Sequence, residues 1–232
     1  MDDQPLQAVP ATPTGNRGEV TVEELSREQQ TVARRMAEAK ATVPEFTLAT
    51  EVDLQDATEL AGEATLADLV VKAAGVALRA HPRANASYRD GRVERYGRVN
   101  VGLVIATGDA LVTPTIFDAD SKPLAAIAEE TRRLAARVRD GSITSPELSG
   151  ATFTVSLLDV PAFAAIITPP HAAALAVGSV QERAVARDGQ VAVRQAATAT
   201  LTCDHRLLYG AAAAAFLERI RVLLEDPAEL AR

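Results

Sequence analysis

The feature that most constrains this chain is a run near its C-terminus in which one parity is apolar. After the turn dipeptide Asp188-Gly189, Val193, Ala197, Ala199, Leu201 and Cys203 fall on that parity. Alternate residues of a strand face opposite sides, so the run predicts a long strand with one buried face, delivered by a hairpin whose turn uses positive φ. His205 lies on the same parity and is expected to point with the core-facing side chains. A helix over 210–224 follows.

Upstream, helix and strand signals are interleaved. Thr21 and Glu24 form a capping pair ahead of Leu25, Val32 and Met36, which predicts a helix ending before Pro44. Phe46, Leu48, Val52 and Leu54 alternate as a half-buried strand, and Thr65 with Asp68 caps a largely apolar helix. Asp90-Gly91 marks a second hairpin, and strands are expected over 99–106, 111–117 and 152–158. Ser121 and Pro123 open a helix that runs to about Arg139, with Gly141 placed to end it. Pro5, Pro10, Pro13, Gly15 and Gly18 make residues 1–20 a flexible tail, leaving 21–232 as one mixed α+β domain.

Composition removes several function classes. With 31 acidic against 24 basic residues the net charge is −7, so no basic field gathers nucleic acid. Apolar runs are interrupted well before 18 residues, and Met1-Asp2-Asp3-Gln4 does not open a basic-then-apolar leader, so a cytoplasmic protein without a membrane span is expected. Cys203 is the single cysteine and suits a reducing compartment. The three lysines, Lys40, Lys72 and Lys122, offer few attachment points for a covalent cofactor, and three histidines with one cysteine lack the paired spacing of a metal site. No glycine-rich phosphate loop is present. Arg132, Arg133, Arg137 and Arg139 read as a solvated helix face or a phosphate or partner contact.

Among the histidines, His81 precedes Pro82 where it can cap a helix, and His171 follows Pro169-Pro170 in a turn, solvated or touching substrate. His205, inside Thr202-Cys203-Asp204-His205-Arg206, is the candidate general base, since an imidazole titrates near neutrality. Cys203, two residues away, reads as a small core residue rather than a nucleophile.

The segment from Thr200 through Cys203-Asp204-His205-Arg206 to Tyr209-Gly210 resembles the His-x-x-x-Asp-Gly signature of dihydrolipoamide acyltransferases, the E2 components of 2-oxo acid dehydrogenase complexes, and of chloramphenicol acetyltransferases. Further stretches stand in that family's order: Val32-Ala-Arg-Arg-Met36, Val43-Pro-Glu-Phe46, Glu51-Val-Asp53, His81-Pro-Arg-Ala-Asn85, Val99-Asn-Val-Gly102, Leu111-Val-Thr-Pro114, Ser145 to Ser156 and Ile166-Ile-Thr-Pro-Pro170. The resemblance covers roughly residues 25–230. It implies a two-layer α/β (α+β) sandwich with a mixed sheet, of the chloramphenicol acetyltransferase type. It also implies a homotrimer in which the histidine of one subunit meets the serine of its neighbour. Carried over, His205 is the general base and Ser156 the hydrogen-bond donor to the tetrahedral oxyanion, with acetyl-CoA as co-substrate and neither covalent lipoate nor metal on this chain. Tyr209, Thr202 and His171 are the candidates for acceptor contacts.

Three departures from the family pattern set the expected acceptor. None of the lysines lies in the Asp-Lys-Ala hairpin that carries lipoate; the segment between Asp53 and Leu66 is short, and Leu157-Leu158-Asp159, with a small deletion after it, stands where Asn-Leu-Gly usually follows the serine; and Tyr209 takes the place of the signature's acid. The leading expectation is therefore a stand-alone O-acetyltransferase that acetylates a small-molecule hydroxyl in polyketide or tetronate biosynthesis. The alternatives are an E2 catalytic core whose acceptor is dihydrolipoamide, and an inactive scaffold.

Overall fold

Fifteen consecutive residues, Gln190–Asp204, make the longest strand of the computed structural model, and it is the alternating run of the sequence. The structure describes residues 9–10, 20–107, 110–187 and 189–230. In chain order its elements are β1 (Val9–Pro10), β2 (Thr21–Val22), α1 (Arg27–Thr42), β3 (Glu45–Asp53), α2 (Gln55–Leu60), α3 (Leu66–Ala80), β4 (Ala86–Arg89), β5 (Arg92–Arg95), β6 (Val101–Leu103) and β7 (Ile105–Thr107). They continue with β8 (Ala110–Val112), β9 (Thr115–Ile116), α4 (Leu124–Arg139), β10 (Phe153–Leu157), β11 (Ala173–Val177), β12 (Gln181–Arg187), β13 (Gln190–Asp204) and α5 (Gly210–Glu225). Residues 1–38 and 39–232 form separate compact units. In the first, β1 pairs antiparallel with β2; the tail expected over 1–20 otherwise falls on residues outside those described.

The second unit is built on a seven-stranded mixed sheet in the order β12-β13-β11-β10-β6-β9, with β3 also paired to β13. β10 runs parallel to β11 and β6; every other pair in the sheet is antiparallel. One face carries Phe153, Val155, Leu175, Leu201, Ala197 and Cys203 into a single core with Leu69, Val70 and Leu78 of α3 and Phe216, Leu217 and Ile220 of α5. Residues paired across strands share a face. The other face is therefore a row of Ser156, Ala176, Thr200 and Ala49 beside a row of Thr154, Ala174, Thr202 and Thr47. This face is buried too: Ala174 packs with Val43 and Ile167, and Thr154, Ser156, Thr200 and Thr202 are each at most 9% exposed.

Local signals explain most boundaries. Thr65 and Asp68 make a reciprocal capping box at α3, Asp90 and Gly91 take φ of 49° and 78° between β4 and β5, and Gly141 takes φ 71° just after α4. The start of α1 differs from expectation. Ser26 and Gln29, not Thr21 and Glu24, exchange the capping hydrogen bonds, the Gln29 side chain accepting from Ser26 N at 2.8 Å. β11 has no counterpart among the expected strands, and the single strands anticipated over 99–106 and 111–117 are each broken in two. Val193, paired with Ala184 in the β12–β13 hairpin, is 67% exposed rather than core-facing. Its turn residue Asp188 lies outside the described residues.

The turn between β9 and α4 is pinned to α3 from below. Lys72, only 5% exposed, donates from Nζ to the carbonyls of Asp120 at 3.0 Å and Lys122 at 2.7 Å. Gly75, one turn further on, leaves room for that approach: a Cβ there would sit 2.8 Å from Asp120 N and from Ala119 C. Gly75→Ala is therefore expected to destabilise by about 1–3 kcal/mol through backbone overlap, outweighing the ~1 kcal/mol helix gain of alanine. A thermal melt showing a raised midpoint would contradict this packing.

Candidate active site

His205 stands where β13 ends. The strand stops at Asp204, whose carbonyl accepts from both Leu207 N and Leu208 N, and the turn drives those two leucines into the core. They occupy the interior that strand parity assigned to His205. The imidazole is instead exposed, a correction to the expected inward orientation. Its backbone N–H donates to Pro44 O at 3.0 Å, so the residue is tied to the start of β3.

The flanking charges fix this turn. Asp204, 2% exposed, accepts from the Arg206 side chain through three contacts, Nε to Oδ1 at 2.9 Å, Nε to Oδ2 at 3.1 Å and Nη2 to Oδ2 at 2.7 Å, and from Arg206 N at 2.9 Å. Arg206 also donates to Thr42 O and lies 4.3 Å from the centre of the Tyr88 ring on β4. A carboxylate and a guanidinium thus clasp across His205, a role the sequence reading did not assign although Asp204 and Arg206 flank the histidine in plain view. Tyr88 was missed because only tertiary folding brings the β4–β5 hairpin to this turn.

Two rings border the imidazole. Phe46 of β3 meets it edge-on with centroids 5.0 Å apart, and Tyr209 lies tilted at 5.5 Å. Cys203 points the other way, into the core, where burial and the Asp204 charge push its thiol up to about 12. It stays protonated at neutral pH and supplies no nucleophile.

Ser156 lies in the middle of the sheet on β10, 9% exposed. It shares a row with Thr200, five residues before His205 and two strands away. Strand steps of ~3.3 Å and spacings of ~4.8 Å put serine and histidine of one chain on the order of 15–20 Å apart. They cannot act on one atom from the same chain.

The remaining candidates divide. Thr202 is 2% exposed and its hydroxyl has no partner. His171, read from sequence as solvated or touching substrate, is buried with both nitrogens used. Nε2–H donates to Ala151 O at 2.8 Å, which leaves Nδ1 to accept from the Thr154 hydroxyl at 2.9 Å. Neither nitrogen is left for an acceptor, and burial lowers its pKa. The structure corrects that assignment: the imidazole braces the loop before β11.

Residues 17–232 match the sequence model described as 2-oxoacid dehydrogenases acyltransferase (catalytic domain). The chain belongs to this acyltransferase family. Among its relatives is the dihydrolipoyllysine-residue acetyltransferase component of the mitochondrial pyruvate dehydrogenase complex of Caenorhabditis elegans, 34% identical over 88% of this chain and 44% of that protein. Component 2 of the same complex in Arabidopsis thaliana is 36% identical over 86% and 40%. The chain thus spans under half the length of these relatives. Among solved structures, one addresses a serine, a histidine and an asparagine in the catalytic mechanism of Azotobacter vinelandii dihydrolipoamide acetyltransferase. It superposes with TM-score 0.88 at 27% identity, covering 96% of this chain and 99% of that one. Chloramphenicol acetyltransferase, at 14% identity and TM-score 0.57, shares the fold, as the sequence resemblance implied.

For this acyltransferase domain the expected biosynthetic role is overturned. The relatives are acetyltransferase components of pyruvate dehydrogenase complexes, and a further superposition is with the cubic core of such a complex. The expectation of a small-molecule hydroxyl as acceptor rests on local departures from the family pattern, which do not identify an acceptor. No helix among the described residues is long and apolar enough to cross a membrane.

Two measurements follow from this geometry. Thr202→Val removes a buried hydroxyl that lacks a partner, so stability is expected to hold or rise by about 1 kcal/mol, whereas removing a bonded hydroxyl would cost a similar amount. For His171 the folded pKa lies below the ordinary 6.5, so the unfolded chain binds more protons as pH drops and stability falls with it. The melting temperature is expected to decline between pH 7.5 and 5.5. His171→Gln flattens part of that slope, the rest coming from His81, which burial and then Arg219 also lower. An unchanged slope would show that His171 titrates normally.

Proposed function

We propose that this chain is an E2 acetyltransferase core that moves an acetyl group between coenzyme A and the thiol of dihydrolipoamide, at a site shared by two copies of the chain in a homotrimer. The observation that carries the reading is the serine–histidine pair. In the Azotobacter vinelandii structure the serine and histidine under study are 52 residues apart, and Ser156 and His205 are 49 apart, a difference matching the shortened stretch after Ser156. Identity of 30–36% to pyruvate dehydrogenase acetyltransferase components across most of the chain supports the substrate class.

His205 then takes the proton from the attacking thiol as its sulfur adds to the thioester carbonyl. The tetrahedral oxyanion accepts a hydrogen bond from the Ser156 hydroxyl of the neighbouring copy. Collapse expels the second thiolate, which recovers the proton from the imidazolium, so charge and protons balance with no acyl-enzyme. The exposure of His205 fits a base that completes its site against another subunit. The 15–20 Å separation within one chain requires that arrangement for a direct His205–Ser156 mechanism.

The deciding assay follows acetyl transfer from acetyl-CoA to dihydrolipoamide. His205→Ala is expected to abolish turnover, and Ser156→Ala to lower kcat by roughly 10²–10³ with little change in KM, as for a contact made only in the transition state. A rise in KM alone would make Ser156 a binding residue. Mixing the two variants after reversible dissociation tests the shared site. Random 1:1 trimers carry both intact groups at about a quarter of their interfaces, so activity returns towards that fraction. No recovery in reassembled trimers would place both groups in one chain.

A further inference from the structure

Tyr209 occupies a position where its residue type is a poor choice for the helix it begins. It is the N-cap of α5, with extended φ −96° and ψ 161°, and makes no side-chain capping bond. Serine, threonine, aspartate or asparagine normally stands at such a position and satisfies a free amide of the first turn. In the Azotobacter vinelandii acetyltransferase the asparagine under study stands four residues after the histidine, the spacing of Tyr209 from His205. The chain has given up a cap and placed a ring there.

That ring is 55% exposed, yet it is not idle, since its centroid lies 5.5 Å from the imidazole of His205 at an interplanar angle of 57°. Phe46, arriving from β3, stands 5.0 Å from the same imidazole at 66°. The chain holds only five phenylalanines, three tyrosines and no tryptophan, so two of its eight aromatic rings border one histidine. The backbones bearing them are independently fixed: Phe46 pairs with Cys203 in the sheet, and Tyr209 O accepts from Ala213 N at 2.9 Å. Ring pairs at 4.5–7 Å in tilted or edge-on geometry are attractive and directional.

We propose that Tyr209 is a positioning residue for His205: with Phe46 it forms a two-ring clamp that sets the direction of the imidazole, through its ring and not its hydroxyl. This rests on His205 being the base. The clamp replaces, by packing, whatever the asparagine at this spacing does in the Azotobacter vinelandii enzyme. Restricting the imidazole to one orientation raises the fraction of molecules aligned for proton transfer, an effect on kcat that leaves substrate affinity alone.

The test compares Tyr209→Ser, which restores a cap and removes the ring, with Tyr209→Phe, which keeps the ring. Tyr209→Ser is expected to melt at the same or a higher temperature while kcat falls at least tenfold and KM for acetyl-CoA and dihydrolipoamide stays within twofold. Tyr209→Phe recovers most of kcat. Histidine labelled with ¹³C at Cε1 gives a second readout: of three imidazole signals, the one absent in His205→Ala loses its ring-current shift in Tyr209→Ser and keeps it in Tyr209→Phe. Full kcat in Tyr209→Ser, an equal loss in Tyr209→Phe, or an unmoved His205 signal would each overturn the clamp. Undiminished turnover by His205→Ala would sink the base assignment instead, and the NMR shift separates the two failures because it reads packing without catalysis.

Discussion

Everything in residues 39–232 hangs on the two-sided pairing of β13. Through 199–203 it is bonded to β11 and through 196–204 to β3, so its backbone groups are satisfied from both sides and its two faces see different surroundings. The face of Ala197, Ala199, Leu201 and Cys203 is dry because α3 and α5 cover it; the face of Thr198, Thr200 and Thr202 is lined by small polar side chains. A one-residue slip would exchange the two sets and leave both the core and the row containing Ser156 wrong at once. The register that makes the core is the register that places the site.

The same strand delivers the histidine by ending. Asp204 is the last residue with a strand partner, and its buried carboxylate is held by the guanidinium of the residue two further on. Asp204 supplies carbonyl and carboxylate acceptors to the turn, Arg206 closes it, and Leu207 and Leu208 anchor it in the core. A buried carboxylate without its partner would carry a heavy desolvation cost, so the clasp is also what lets the acid sit inside. His205 is the one side chain of the turn left facing outward between two rings.

Much of this was legible in the chain. The alternation of β13, the Thr65–Asp68 box and the Asp90-Gly91 turn each carry a local mechanism, and each element formed where that mechanism put it. β11 was not legible because Ala-Ala-Leu-Ala-Val is buried on both faces and so lacks alternation, while alanine favours helices. The outward turn of His205 was hidden because parity holds only while the strand lasts. The brace at His171 depended on Thr154 and the Ala151 carbonyl, which nothing in its own Pro-Pro-His context announces. The pairing proposed for His205 and Ser156 rests on resemblance, since spacing in one chain cannot reveal a contact between two.

The distance between Ser156 and His205 has a kinetic consequence. A reaction that needs both groups draws them from different molecules, so association enters its rate law. For such a reaction, specific activity falls with dilution below the concentration at which copies assemble, even though every chain remains folded. Under the proposed shared site each copy would carry two half-sites for different neighbours, and a closed ring leaves no half unmatched.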